Sequence, residues 1–421
     1  MSRTDGSAAP TGMIRGRRRV RLTPRGGAFL GFAGLALVTA YIAGWPELLV
    51  VACFAAAPPA VATVLASRER NELQLVRVIS PRMLAARSVG VVRLLVRNRG
   101  SRATSAGQWW DRLPWQPGVS ETRALNSLVA DRTVELRYGL VPPQRGVVDV
   151  GPFVARFADP FGLMTLECEY GRLERVVVAP ETVPLASGVV EIAADSGSAR
   201  LFQHRALAGE HDVMTREYRS GDALRRVHWR SSARHGELMV REDERRSHAS
   251  AVLLVETRAK RYPDVEGART RHPFSRGFEW SLSMVASLRD HLAASGLAVH
   301  VVETAQPQLA EARSTADFTE SLARAGLSFD DYRRPRWRTE PSHAGPAGGL
   351  GSAFAVLGVP DAELVGDLAD SRALFDSAIA FVAHETPDAS LATLRRAGWS
   401  VVRVADDDSV AEAWLRVGAH G

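Results

Sequence analysis

Ala251 to Val255 reads AVLLV, bounded upstream by the charge run EDERRSHAS (Glu242 to Ser250) and downstream by Glu256-Thr257-Arg258-Ala259-Lys260. A short apolar run without polar alternation predicts a strand buried on both faces. Downstream the pattern turns helical over Phe278 to Ala294, then strand-like over Ala298 to Val302, then helical again over Phe318 to Ala325. After a Pro-, Gly- and charge-rich excursion from Ser328 to Gly351, strands are expected at Ala353 to Leu357, Ala378 to Val382 and Ser400 to Val404. Helices are expected between and after them, at Ala362 to Leu374, Ser390 to Ala397 and Val410 to Val417. Alternating strands and helices call for a parallel sheet covered on both sides, so residues 249–421 are expected to form a doubly wound α/β domain.

Residues 71–184 have a different rhythm. Short β-type runs (LQLVRVI, VGVVRLLVRN, TVELRYGLV, GVVDVGPFVARF, LMTLECEY, RLERVVVAP) are separated by the breaks Arg-Asn-Arg-Gly, Pro-Pro-Gln-Arg-Gly and Asp-Pro-Phe-Gly. About six or seven strands at this spacing predict a β-sandwich-like domain, giving the chain an α+β multidomain organisation. Trp109-Trp110 and Trp115 suggest a ligand platform or, on the simpler reading, one core tryptophan with the others covering an edge or sitting near the lipid surface.

Toward the N-terminus, Gly26 to Pro46 and Leu48 to Ser67 carry no charge. Each is long enough to cross a bilayer, and the second follows the first too closely for a cleaved leader, so residues 26–67 read as a transmembrane hairpin. Pro58-Pro59 should kink its second helix. The formal net charge of +6 is held by residues 1–25, which contain seven arginines and one aspartate; the remainder balances. A basic tail on a neutral body argues for a membrane partner and against nucleic acid. The arginine bias places both termini and the main body in the cytoplasm, as a two-pass protein of the inner membrane. Cys53 and Cys168 lie in unlike surroundings and suggest neither a disulfide framework nor a zinc site.

Between the two folded regions, residues 185–248 read as a linker followed by a charge-dense signature, GEHDVMTREYRSGDALRRVHWRSSARHGELMVRE from Gly209 to Glu242. Seven arginines face six carboxylates there, which implies pairing. The pattern, through Glu217, Tyr218, Gly221, Asp222, Arg225, Arg226, Trp229, Arg230, Ala233 and Arg234, resembles the signature of the bacterial domain-of-unknown-function family number fifty-eight. The likeness extends more weakly to Arg145 to Met164, RGVVDVGPFVARFADPFGLM. It implies a membrane-anchored protein with a von Willebrand A-like α/β domain, often found beside MoxR-type AAA+ ATPases.

In the von Willebrand A fold the first strand delivers Asp-x-Ser-x-Ser to a divalent metal. Here Arg258 and Lys260 stand at the two hydroxyl positions, so no metal is expected. Arg225, Arg226, Arg230 and Arg234 suit either an anion clamp or a structural clasp in which Asp222, Glu217 and Glu237 neutralise them while Tyr218 and Trp229 anchor the segment. His228 and His235 have no nucleophile or carboxylate pair at a diagnostic spacing, so no catalytic residue is assigned. Walker, GxGxxG, HExxH and GxSxG motifs are all absent, and no cofactor is expected. The expectation is a non-enzymatic membrane scaffold or adaptor working with protein partners, a MoxR-type ATPase among them. The alternative is a hydrolase or phosphate-ligand-binding protein that uses the arginine-rich signature.

Overall fold

The structure, a computed structural model, describes residues 15–68, 71–116, 118, 121–159, 161–186, 215–217, 229–241, 250–267, 273–309, 314–335, 351–405 and 407–419. The chain divides into two compact units, Met1–Ala179 and Pro180–Gly421. The expected boundary at 184/185 therefore falls a few residues earlier. Val183 N–H donates to Ser287 Oγ, and Trp414 Nε1 donates to the carbonyl of Ala186, which commits this stretch to the second unit.

The first unit opens with strand β1 (Arg15–Leu22), followed by helices α1 (Pro24–Ala43) and α2 (Pro46–Arg68). Thr23 caps α1 by accepting from Gly26 N–H, and Gly44, left-handed at φ 70°, ends it. Both helices are long and apolar enough to cross a membrane. Large apolar side chains such as Leu35, Tyr41, Ile42 and Phe54 lie exposed along them, as an apolar solvent would demand. α2 continues as a helix through Pro58 and Pro59, where Thr63 Oγ1 donates to the Pro59 carbonyl.

Among the described residues ten further strands follow: β2 (Leu73–Ser80), β3 (Met83–Ala85), β4 (Gly90–Asn98), β5 (Gly107–Asp111), β6 (Arg123–Leu125), β7 (Thr133–Leu140), β8 (Gly146–Val150), β9 (Phe153–Ala158), β10 (Met164–Tyr170) and β11 (Glu174–Ala179). They form sheets in the orders β1-β10-β9-β5-β6, β2-β4-β7 and β3-β11-β8 around one core. β4 shows why: Val92, Leu94 and Val96 point inward and are fully buried, while Val91, Arg93 and Leu95 alternate outward. Arg77 on β2 forms a bidentate ion pair with buried Asp111 on β5 (2.7 and 3.1 Å), and Tyr138 on β7 donates to the same carboxylate at 2.7 Å, tying two sheets together.

Two expectations are corrected here. Within the basic tail of residues 1–25, Arg15–Leu22 is an edge strand antiparallel to β10, with Leu22 opposite Met164, while residues 1–14 lie outside the described residues. Trp109 and Trp110 are both buried, so they form no exposed platform; Trp109 belongs to the core, and Trp110 is buried outside it rather than at an open edge. Trp109 stacks on Phe153 in the core, and Trp110 is covered on the other face by the Arg156 guanidinium, 4.8 Å from its ring.

In the second unit, the signature contributes β12 (Thr215–Glu217), α3 (Trp229–His235) and β13 (Met239–Arg241), with β12 and β13 antiparallel. The α/β fold then runs β14 (Ser250–Val255), α4 (Arg276–Ala294), β15 (Ala298–Glu303), α5 (Thr315–Arg324), β16 (Ser352–Leu357), α6 (Ala362–Ser371), β17 (Ser377–Ala383), α7 (Asp388–Arg396), β18 (Ser400–Val404) and α8 (Val410–Ala419). Its sheet has the order β15-β14-β16-β17-β18, with every neighbouring pair parallel. AVLLV serves both faces: Ala251, Leu253 and Val255 pack with α4, α5 and α8, and Val252 and Leu254 pack with α6 and α7. Each large side chain so buried contributes about 1.5–3 kcal/mol.

Candidate functional site

The order β15-β14-β16 fixes where to look. From β14 the chain crosses to β15 on one side, then returns to β16 on the other, so the connections leaving β14 and β16 diverge. In open parallel sheets such a reversal opens a crevice beyond the carboxyl ends of the two strands, and ligands bind there. Glu256-Thr257-Arg258 follow β14, Thr304 follows β15, and Asp361 follows β16 as the N-cap of α6.

These residues form a closed ionic cage. Arg258 is buried, with its Nε and Nη2 donating to Glu256 Oε1 and Oε2 at 2.9 and 2.7 Å. Its Nη1 donates to Asp361 Oδ2 at 2.6 Å, while Asp361 Oδ1 caps α6 by accepting from Leu364 N–H at 3.0 Å. Glu256, fully buried, also accepts from the Arg258 backbone N–H and from Thr304 Oγ1. Tyr332 lays its ring 4.7 Å from the guanidinium carbon and sends its hydroxyl to Asp367. Below the cage Tyr262 donates to the Glu256 carbonyl at 2.8 Å.

The electrostatics follow from this packing. Burial opposes charge on Arg258, but the hydrogen bonds and charge of Glu256, then of Asp361, outweigh it and raise the pKa. Burial likewise works against the Asp361 carboxylate, yet Arg258 and the Leu364 N–H hold its pKa below the usual range. Burial and the Glu256 charge push Tyr262 upward, so it stays a neutral donor. Arg258 and Asp361 are thereby held as an ion pair inside the cage, with Tyr262 a neutral donor beneath it.

A divalent ion does not fit this arrangement. The guanidinium occupies the space between the two carboxylates, and a second cation there would meet its charge at contact distance. Of the two basic residues expected at hydroxyl positions, only Arg258 enters the site. Lys260 is exposed and pairs with Asp331 at 3.5 Å. Among the described residues no three His, Cys, Asp or Glu side chains cluster as metal ligands require. A small void beyond the ends of β16, β17 and β18, lined by Tyr262, Trp280, Gly358 and Ala405, measures about 40 Å³. That holds a water molecule or so and falls far short of the ~300 Å³ of a small-molecule site.

The signature residues are only partly placed. Glu217 lies on β12, while its side chain, Tyr218, Gly221, Asp222, Arg225, Arg226, His228 and the side chains of Arg230 and His235 lie outside the described residues. Trp229, which opens α3, is 68% exposed, so it does not anchor the segment. Ala233 and Arg234 are also exposed, and no ion pair joins Arg234 to Glu237. Sequence reasoning found Glu256 and Arg258 but missed Thr304, Tyr332 and Asp361. Of these only Asp361 left a local signal, a capping aspartate just after a buried strand.

The family model described as "Protein of unknown function DUF58" matches residues 214–263, a stretch that includes the signature from Met214 onward together with Glu256, Arg258 and Tyr262 of the cage. No curated protein matches the chain. Among solved structures, the CARDB domain of PF1109 from Pyrococcus furiosus is 13% identical, with 25% of this chain and 94% of that domain covered and a TM-score of 0.18. The same domain in complex with di-metal ions is 14% identical, covering 27% and 95%, again at 0.18. A β-glucosidase, EmGH1 from Erythrobacter marinus, is 12% identical over 26% of this chain and 15% of its own, also at 0.18. Scores so low assign neither fold nor function.

Proposed function

The chain belongs to the DUF58 family, and from that premise we propose that it is a membrane-anchored adaptor whose α/β unit, von Willebrand A-like in kind, docks protein partners rather than turning over a substrate. The observation that carries this reading is the filled crevice: the position where such sheets hold small ligands is taken by the Arg258 side chain between Glu256 and Asp361. Recognition then falls to the outer surface of the unit. The partner best matched to the family resemblance is a MoxR-type AAA+ ATPase, which would supply the nucleotide chemistry that this sequence lacks, in assembly or maturation of envelope or other protein complexes.

The two apolar helices serve as the anchor on this reading. Pairing of β1 with β10 supports one topology in particular, because the strand before the first helix and the sheet after the second must lie on the same side of the bilayer. With the arginine bias, that side is the cytoplasm.

The test is affinity purification of the tagged full chain from cross-linked membranes. A MoxR-type ATPase should be enriched, with binding that changes with nucleotide. A reporter at Gly421 should be active only inside the cell. Hydrolysis of a phosphorylated substrate by the purified chain alone, with no ATPase recovered, would overturn the adaptor reading in favour of the hydrolase alternative.

A further inference from the structure

The Asp-Pro-Phe-Gly break between β9 and β10 is more than a turn. Asp159 fixes it through its side chain, accepting from Phe161 N–H at 3.0 Å and Met164 N–H at 2.5 Å, and Gly162 adopts the left-handed φ of 66° that closes the loop. The turn is pinned to the foot of α1. Thr23 N–H and Oγ1 both donate to the Leu163 carbonyl (2.9 and 3.0 Å), and Oγ1 also reaches the Gly162 carbonyl (2.7 Å). Gly26 permits the approach, since a Cβ there would lie 2.3 Å from the Leu163 carbonyl oxygen. Leu163 and Met164 pack on Ala62 of α2. A turn pinned in this way nevertheless holds Phe161 outward, 67% exposed, beside two helices fit to span a bilayer.

Next to Phe161 lies a groove of about 620 Å³, lined by Arg25, Ala28, Phe29, Pro58, Phe161 and Leu163. All these lining residues are apolar except Arg25. Among the described residues Arg25 has no acidic partner, and Arg17 and Arg19 on adjoining β1 form no ion pair either. An apolar trough in the size range of small-molecule sites, with one cation, Arg25, in its lining and continuous with two apolar helices, is complementary to one kind of molecule. We propose that Phe161 and Leu163, the foot of the α1–α2 hairpin and Arg25 form a binding site for an anionic phospholipid, with an acyl chain along Phe29 and Phe161 and the phosphate on Arg25. The leaflet is the one on the side of the β-sheets. Phe161 then enters the interfacial layer as an anchor, where aromatic side chains are favoured.

The site rests on the reading of α1 and α2 as a membrane anchor, and the experiment separates the two. Membranes holding the full chain are first washed with alkaline carbonate; release of the protein would end the anchor reading and the lipid site with it. Protein that stays is purified in detergent, and bound lipid is counted by native mass spectrometry with added dioleoylphosphatidylglycerol or dioleoylphosphatidylcholine. One phosphatidylglycerol should be retained in preference to phosphatidylcholine. Arg25→Gln should weaken that preference about fivefold, as loss of one cation near a phosphate layer implies. Phe161→Ser should lower retention of both lipids, and Phe161→Leu should restore it, which distinguishes lost contact from misfolding. Equal retention of the two lipids by the wild type, or retention unchanged in either Arg25→Gln or Phe161→Ser, overturns the proposal while leaving the anchor standing.

Discussion

Arg258→Met removes the guanidinium and keeps most of the side-chain volume. Glu256 Oε1 keeps its bonds from the Arg258 backbone N–H and Thr304, but Oε2 loses its donor inside a fully buried site. Asp361 retains the Leu364 N–H and Arg261, the latter at 3.7 Å. Breaking a buried pair by deleting one partner costs about 3–5 kcal/mol, because the remaining charge stays desolvated. For a unit the size of Pro180–Gly421, at about 2–4 °C per kcal/mol, the midpoint should fall by roughly 6–20 °C. Tryptophan fluorescence of the full chain in detergent reads the midpoint, and hydrogen exchange in β14 and β16 localises the loss. Adding Glu256→Gln to Arg258→Met should recover most of the stability, since a neutral amide at that position needs no counter-charge. A loss below about 1 kcal/mol, or no rescue in the double variant, would refute the cage as the element that holds this end of the sheet.

Three further outcomes are expected. Mg²⁺ or Mn²⁺ should leave the wild-type melting curve unmoved, whereas a metal at a hundred times its dissociation constant would add about 2.7 kcal/mol; a shift abolished by Glu256→Gln would contradict the filled site. Trp229→Ala should change stability by no more than about 0.5 kcal/mol in urea unfolding, because the ring is exposed, and a loss of several kcal/mol would restore its role as an anchor. Burial raises the pKa of Glu303 against the opposing hydrogen bonds from Leu309 and Gln308 N–H. The folded state therefore keeps that proton to higher pH than the unfolded chain does. The associated stability is full at acid pH and lost as the pH rises through the folded value, so Glu303→Gln should unfold with a flatter pH dependence than wild type in denaturant titrations across that window.

The α/β unit was legible because its information is local. AVLLV, and the buried strands ending at Leu357, Ala383 and Val404, are bounded by helices with clean apolar periodicity, and the observed elements match the expected ones to within a few residues. The β unit was legible only where strands alternate strongly. β3, β5 and β6 are short, and β1 looked like a tail because its arginines obey the membrane charge rule and the strand rule at once. The cage was half visible. Glu256 and Arg258 adjoin a strand that announces itself, but the guanidinium's second carboxylate lies 103 positions away on another loop, and no local pattern links the two. Trp229 misled for a different reason: tryptophan is usually buried, and nothing nearby marks the first residue of a short helix as one that faces water.

The pairing of β1 with β10 also has a consequence in time. Leu22 emerges from the ribosome long before its partner Met164, and at about 5–20 residues per second the interval is roughly 7–28 s. During that interval the two apolar helices have left the ribosome and, as the proposed anchor, would already enter the lipid, so the first strand waits while fixed at one end to the hairpin. When β10 is finally made, it meets a tethered neighbour rather than a free segment, which raises the local concentration of the partner strand and shortens the life of an open sheet edge. If the hairpin is the membrane anchor proposed above, its insertion and the closure of the sheet would be steps of one ordered assembly. Detaching β1 from the helices, by a flexible insert after Leu22, would slow the second step while leaving every contact of the finished fold in place.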